Sequence, residues 1–346
     1  MKVIFWNATR ENQHITGVKR YEDELFENIK KLARLERYNW KIDRIQRPKN
    51  VLLGSTFLSW LYKYRCKNAD LIHITEETVA PVMLFRKPKK LVITCHGLIP
   101  LIYPSLIRDF TTKVQWTLIP RVMNRADKII AISNFTKKEI IRLLGIEENK
   151  IVVIHHGVDH SNYKPLDKEK SRIHLGLDPD ARYILVVSSN LVQKRMDIVK
   201  KVFDEIRRIR DDVYLLKAGY GEMLRGERIV NVGKIPEKDM PILYNAANVY
   251  FHPSEYESFG LPILEAMACG VPVITSNKAS IPEIVGDDKR TVDIDADDAV
   301  KQFVDKILKY LDKGVDKKVL HRSKEFSWEK TARRTIKVYE KVIEDY

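Results

Sequence analysis

Two glutamates, Glu257 and Glu265, bracket the segment Ser258-Phe-Gly-Leu-Pro-Ile-Leu264. An ionised carboxylate only accepts hydrogen bonds, and it can take two at once from a pair of neighbouring hydroxyls. Sugars and riboses carry such pairs. Pro262 suits the first turn of a helix, so residues 263–269 read as that helix and Gly270 as its stop. Glu257 then falls just before the helix and Glu265 about a turn inside it, which lets both face one pocket. Backbone N–H groups at Gly260 and Leu261 open the helix and can point at an anion or at hydroxyl oxygens. Gly260 puts no side chain between that backbone and a ligand. Taken alone, the pair also reads as two solvated carboxylates at a helix end.

These residues need elements to position them. Val249-Tyr-Phe251 reads as a short buried strand before the loop, and Val271-Pro-Val-Ile274 as the strand after the helix. That is a strand–loop–helix–strand unit of a parallel α/β sheet, where ligands bind at the carboxyl ends of strands. The same logic selects other residues. His96 follows the strand Leu91–Cys95 and precedes Gly97. Lys194 and Arg195 follow the strand Tyr183–Val187 and stand at the start of a helix. Adjacent cations at the positive end of a helix dipole argue for an anion nearby. Gly17 sits where a polar loop becomes a helix with Val18, Tyr21, Leu25 and Ile29 at helical spacing. Ala218-Gly219-Tyr220-Gly221 lacks the third glycine of a dinucleotide fingerprint. His155-His156 has no carboxylate or cysteine partner at metal-ligand spacing.

The run Glu257-Ser-Phe-Gly-Leu-Pro-Ile-Leu-Glu265-Ala-Met-Ala-Cys-Gly-Val-Pro-Val-Ile resembles the E-x7-E signature of retaining, GT-B-fold glycosyltransferases of family 4. The resemblance implies an α/β chain of two Rossmann-like domains facing across a cleft, its C-terminal helix crossing back to the first. It implies a nucleoside-diphosphate sugar, GDP- or UDP-linked, as donor and no separate cofactor. Glu257 would meet the donor sugar's hydroxyls, and Ser258, Phe259, Gly260 and Leu261 the sugar and phosphate. Glu265 would hold the ribose diol. Thr94-Cys-His-Gly-Leu-Ile-Pro is similar to a family loop that places His96 over the donor sugar. Lys194, with Arg195 second, would neutralise the leaving diphosphate, so Glu257, His96 and Lys194 form the expected catalytic set.

Elsewhere the match is looser. Serine and Asn190 stand where the family carries glycine and arginine after the strand Tyr183–Val187, with Asn190 kept as a donor contact. Thr16 replaces one glycine of a pair whose other member is Gly17, expected to close on the donor phosphates. Gly219 would lie beside the nucleotide. His155-His156-Gly-Val-Asp159 resembles the family's N-G-V-D turn, with His156 in the asparagine's place, and Phe326-Ser-Trp328 resembles its last helix. Residues 1–165 with 327–346 are therefore expected to form the acceptor-binding domain, and 166–326 the donor-binding domain. The linker-like stretch 160–181 falls between them. Ser280-Ile-Pro-Glu-Ile-Val-Gly286 resembles mannosyltransferase-like members, which leans toward GDP-mannose and leaves UDP-glucose open. No D-x-D stands beside a loop suited to a divalent cation, so metal independence is expected.

Composition bounds the partners. The 346 residues suffice for two domains, and 44% hydrophobic content supports real cores. Three scattered cysteines, Cys66, Cys95 and Cys269, indicate neither a disulfide framework nor a zinc site and fit a reducing cytoplasm. Residues 1–160 hold 28 Lys/Arg and 16 Asp/Glu, giving +12, whereas 161–346 hold 33 and 31, giving +2. The first half is thus suited to an anionic partner: a membrane surface, a lipid-linked phosphate acceptor or a nucleic acid. Nucleic acid is not expected, because the lysines are not interleaved with aromatics in any recognised module. The N-terminus reads as a first strand rather than a signal peptide, and no run suits a membrane span. Leu52–Tyr64 reads as an apolar, aromatic helix. The expected setting is cytoplasmic, at the inner face of the cell membrane if the basic domain binds it. A same-fold enzyme of different chemistry, a nucleotide-sugar epimerase or a phosphorylase, is the other enzyme reading, without a pattern of its own here.

Overall fold

Short apolar runs between polar loops build two six-stranded sheets, every strand pair parallel. The computed structural model describes residues 1–11, 16–47, 68–84, 88–107, 109–189, 191–221 and 223–344. The helix expected over Leu52–Tyr64, and Asn190, lie outside the described residues.

The first sheet contains β1 (Lys2–Trp6), β2 (Lys41–Ile45), β3 (Leu71–Ile74), β4 (Lys90–Cys95), β5 (Lys128–Ala131) and β6 (Ile151–Val153), in the order β2-β1-β3-β4-β5-β6. Its strand order reverses between β1 and β3. Helix α1 (Gly17–Leu35) starts where the Thr16 side chain accepts a hydrogen bond from the Lys19 amide, and it buries Tyr21, Leu25, Ile29 and Leu32. The short α2 (Ile99–Ile102) is followed by α3 (Phe110–Asn124) and α4 (Asn134–Leu144). Helix α3 begins at its Asp109 cap, after a separate 3-10 turn over Pro104–Leu106. Helix α4 is capped by Ser133, whose hydroxyl accepts from the Thr136 amide at 3.0 Å.

The second sheet follows α5 (Lys168–His174). It holds β7 (Arg182–Val187), β8 (Val213–Ala218), β9 (Ile229–Gly233), β10 (Val249–His252), β11 (Val273–Ser276) and β12 (Thr291–Val292), in the order β12-β11-β10-β7-β8-β9. The chain runs β7 to β9 outward, then returns to place β10 on the other side of β7, so the switch point lies between β7 and β10. Its helices are α6 (Met196–Ile209), α7 (Met240–Ala246), α8 (Leu261–Ala268), α9 (Ile281–Val285), α10 (Ala299–Leu311) and α11 (Lys317–Ser323). Among the described residues no helix is long and apolar enough to cross a membrane.

The last helix, α12 (Trp328–Glu344), belongs with the first sheet. It packs on α1, and its Thr331 hydroxyl donates to the His155 carbonyl at 2.8 Å. The two units are therefore Met1–Gly157 with Trp328–Tyr346, and Val158–Ser327. The first break falls at Gly157 instead of residue 165. Residues 158–165 pack with the second unit, where Val158 bridges Ser327 and the Tyr163 hydroxyl donates to Glu237 at 2.8 Å.

The linker chemistry expected over 160–181 also proves to contain structure, because α5 is bolted down by one side chain. Arg172 is 4% exposed, and its guanidinium donates to the Ala246 carbonyl, the Pro179 carbonyl and Asn248 Oδ1 at 3.0, 2.7 and 2.6 Å. Arg172→Met would strip a donor from all three acceptors, leaving Asn248 Oδ1 only the Tyr183 amide at 2.9 Å, and we expect it to cost about 2–4 kcal/mol of stability, read from the urea midpoint.

Candidate active site

At the second unit's switch point, two loops are stitched together through one backbone carbonyl. The Gln193 carbonyl accepts from the Glu255 amide at 2.8 Å and from the Ser254 hydroxyl at 3.0 Å. This ties the loop after β7 to the loop after β10. Ser280, just before α9, holds the other end: its hydroxyl lies 2.8 Å from the Glu257 carbonyl oxygen and 3.0 Å from that of Phe259.

The stitching brings Lys194 against Glu257, with the ammonium donating to Oε1. The same oxygen accepts from His252 Nε2 at 2.6 Å, and His252 Nδ1 lies 2.9 Å from the Tyr250 hydroxyl. An ionised carboxylate cannot donate, so the hydrogen in the His252–Glu257 bond sits on Nε2. Burial pushes the Glu257 carboxyl up, but the Lys194 ammonium and the His252 bond outweigh it and hold it at about 2. Glu257 Oε2 has no partner among the described residues, and the side chain is 13% exposed. One oxygen is locked; the other is open to a hydroxyl.

The second glutamate is placed differently. Glu265 is buried inside α8, where its Oε2 accepts from the Tyr244 hydroxyl at 2.7 Å. Tyr244 meets Tyr250 edge-on, ring centres 5.8 Å apart, so Tyr244, Tyr250 and His252 connect the two glutamates. Between them Gly260 adopts φ 102°, the left-handed region, and caps α8 with Pro262 in the first turn. Leu261 opens the helix, Phe259 is buried edge-on to Phe326, and Ser258 is half-buried.

Lys194 and Arg195 part company. Arg195, also left-handed at φ 51°, grips Asp197 with Nε and a terminal nitrogen, both at 3.0 Å. Its charge is met locally, and Lys194 is the cation that touches Glu257. Gly219 has a steric reason to be glycine: at φ 105°, a Cβ would stand 2.5 Å from the Ser188 carbonyl oxygen.

In the first unit, His96 lies at the end of β4 with its ring Nε2 donating to the Thr75 carbonyl at 2.9 Å. Its backbone N–H donates to Glu77 at 2.8 Å, and its ring packs edge-on against Tyr21. Burial holds the imidazole down to about 4, so near neutral pH it is uncharged, with Nδ1 as an acceptor. His156 lies flat against Tyr21 and tilted against Trp328, an aromatic packing role. Among the described residues no group of three His, Cys, Asp or Glu is placed to hold a metal. Gly17 is the exposed first residue of α1.

Sequence reasoning passed over His252 and the buried carboxylates of the first unit. His252 had a visible signal, a histidine ending a strand as His96 nearly does. Glu22 had none: it accepts from the Ala8 amide, the Thr9 amide and hydroxyl, and the Thr75 hydroxyl.

Two family models match the chain, "Glycosyltransferase Family 4" over residues 18–162 and "Glycosyl transferases group 1" over 167–335. Together they span nearly all of it. The chain belongs to the group 1 glycosyltransferases of the GT-B type. Among curated relatives, it is 32% identical over 239 residues to O-antigen chain mannosyltransferase B of Escherichia coli, covering 63% of this chain and 61% of that one. It is 28% identical over 251 residues to D-inositol 3-phosphate glycosyltransferase 2 of Catenulispora acidiphila, covering 65% and 58%. These matches span less than two thirds of the relatives' own lengths. Among solved structures, sucrose-phosphate synthase from Thermosynechococcus elongatus superposes with a TM-score of 0.79 over 100% of both chains at 19% identity. Anabaena HepE, solved with UDP and glucose, gives 0.74 over 99% of this chain and 100% of that one at 17% identity. The two structures establish the GT-B fold.

Within that fold, Glu77 offers a clean pH test. Burial and the neighbouring Glu76 push its carboxyl well above the ordinary range, so the folded chain keeps a proton that the unfolded chain releases. The stabilisation is complete below about pH 4.5 and fades as pH rises toward neutrality and beyond. Glu77→Gln keeps an acceptor for the His96 amide. Its melting temperature should match wild type in acid and exceed it at pH 8, and parallel curves would contradict the assignment.

Proposed function

We propose that this glycosyltransferase moves a hexose from a nucleoside-diphosphate sugar to an acceptor hydroxyl with retention of configuration and without a metal ion. The observation that carries the reading is the Glu257 carboxylate at the β7/β10 switch point, locked on one oxygen by Lys194 and His252 and open on the other. An open, ionised oxygen beside a lysine suits a donor sugar hydroxyl next to a diphosphate. The bond from the anomeric carbon to the phosphate breaks, the acceptor oxygen joins the same face, and its proton passes to the leaving phosphate. Lys194 and the amides opening α8 would stabilise the charge that develops on that phosphate. Glu265 would take the ribose by exchanging its Tyr244 bond. A role for His96 rests on the resemblance.

For the donor, the mannosyltransferase relative and the 280–286 segment favour GDP-mannose, while HepE is a structure solved with UDP and glucose. The acceptor is proposed to be a sugar, a polysaccharide or a lipid-linked carrier. A cytoplasmic protein docking on an anionic membrane through its first unit is supported by an open groove of about 250 Å³ there. Lys128, Arg334, Lys337 and Lys341 line it beside Val152 and Val338.

A panel of nucleoside-diphosphate sugars should give donor-specific thermal stabilisation that EDTA leaves intact. Stabilisation by none of them would end the reading, and loss on chelation would end its metal-free part. Glu257→Gln should lower kcat by about 10²–10³-fold with the fold unchanged, and full turnover in that variant would remove Glu257 from the mechanism.

A further inference from the structure

Lys217, the next-to-last residue of β8, is a buried cation with no counter-ion among the described residues. It is 3% exposed. Its ammonium donates to the Ser188 carbonyl at 3.0 Å and the Tyr220 carbonyl at 3.2 Å, and makes no ion pair among the described residues. An ammonium has three N–H donors, so one is unused. Burial alone lowers its pKa, with no carboxylate acting in the other direction. Buried charges are ordinarily paired, and one left unpaired at the ligand-binding end of a parallel sheet asks for an anion.

Its surroundings place that anion. The two carbonyls belong to the loops after β7 and β8, which meet so closely that Gly219 has no room for a Cβ beside Ser188. The Ser188 amide also donates to the Ala218 carbonyl at 3.0 Å. Ser188 opens the loop that ends in Lys194, the residue bonded to Glu257. Between Ser188 and Lys194 that loop carries no cation of its own. Lys217 therefore sets a fixed positive charge at the joint of the two loops, supplied from the neighbouring strand.

We infer that Lys217 is part of the donor site, its ammonium providing the field that selects a nucleoside diphosphate over the uncharged nucleoside. This rests on the donor-site reading above. A lysine that only clamped two carbonyls would serve nucleoside and diphosphate alike.

The test uses the full chain and titration calorimetry with UDP, GDP, uridine and guanosine. Lys217→Gln keeps two N–H donors for the carbonyls and removes the charge, whereas Lys217→Arg keeps the charge. The glutamine variant should lose about tenfold of the preference for diphosphate over nucleoside, and the arginine variant should retain it. Lys217→Met makes the same comparison should the glutamine variant not fold. A glutamine or methionine variant with the wild-type preference overturns the inference. So does a parallel loss of nucleoside and diphosphate affinity, which marks a loop clamp. Wild-type protein that binds neither diphosphate removes the donor-site reading itself, and the inference falls with it.

Discussion

Glu257 stays ionised while largely buried because two donors from two different loops converge on one of its oxygens. Lys194 comes from the loop after β7 and His252 from the end of β10. His252 is set by the strand itself, and Lys194 is held close because the Gln193 carbonyl joins its loop to the loop after β10 through Ser254 and Glu255. A buried carboxylate stripped of such partners would take up a proton and lose its value as an acceptor. The surrounding details serve that contact: the Tyr250 hydroxyl holds His252 at Nδ1, Ser280 pins the backbone of Glu257, and left-handed Gly260 turns the chain into α8.

The first unit handles buried polarity in the opposite way, by keeping histidines neutral. His73, fully buried, lies 2.6 Å from the Tyr339 hydroxyl and 2.8 Å from the Thr94 hydroxyl, and Thr94 lies 2.8 Å from the Tyr21 hydroxyl. Desolvation pushes the His73 imidazole down to about 3. The chain of bonds links α12, β3, β4 and α1, so the returning helix is fixed to its sheet by satisfied polar groups as well as by apolar packing. Tyr21, part of that chain, also supports the ring of His96.

Much of this was legible in the residues. Short continuous apolar runs marked strands such as β4, β7 and β10, helical spacing marked α1, and the E-x7-E stretch led to the loop where Glu257 and Lys194 meet. What stayed hidden depended on partners distant in sequence. Helix α5 hid in a polar, proline-bearing segment because its anchor is one arginine bonded to residues more than seventy positions away. Strand β2, with Lys41, Asp43 and Arg44, has no strand-like periodicity and forms because β1 offers it a ladder. Arg195, expected as a second cation at the diphosphate, holds Asp197 through a bidentate bond, a pairing only two positions apart that depends on the left-handed backbone of Arg195.

The sequence by itself determined the α/β architecture, the two-unit chain with a returning helix, and the glutamate at the end of β10. Local periodicity, helix punctuation and a long motif are properties of neighbouring residues, and they survive in one dimension. The tertiary structure alone decided which charges are matched and which are not. Arg195 is paired with Asp197, Lys194 with Glu257, Glu265 is bonded to Tyr244, and Lys217 is buried without a counter-ion among the described residues. Electrostatic energies depend on distance and burial in three dimensions, and neither quantity is written in the order of the residues.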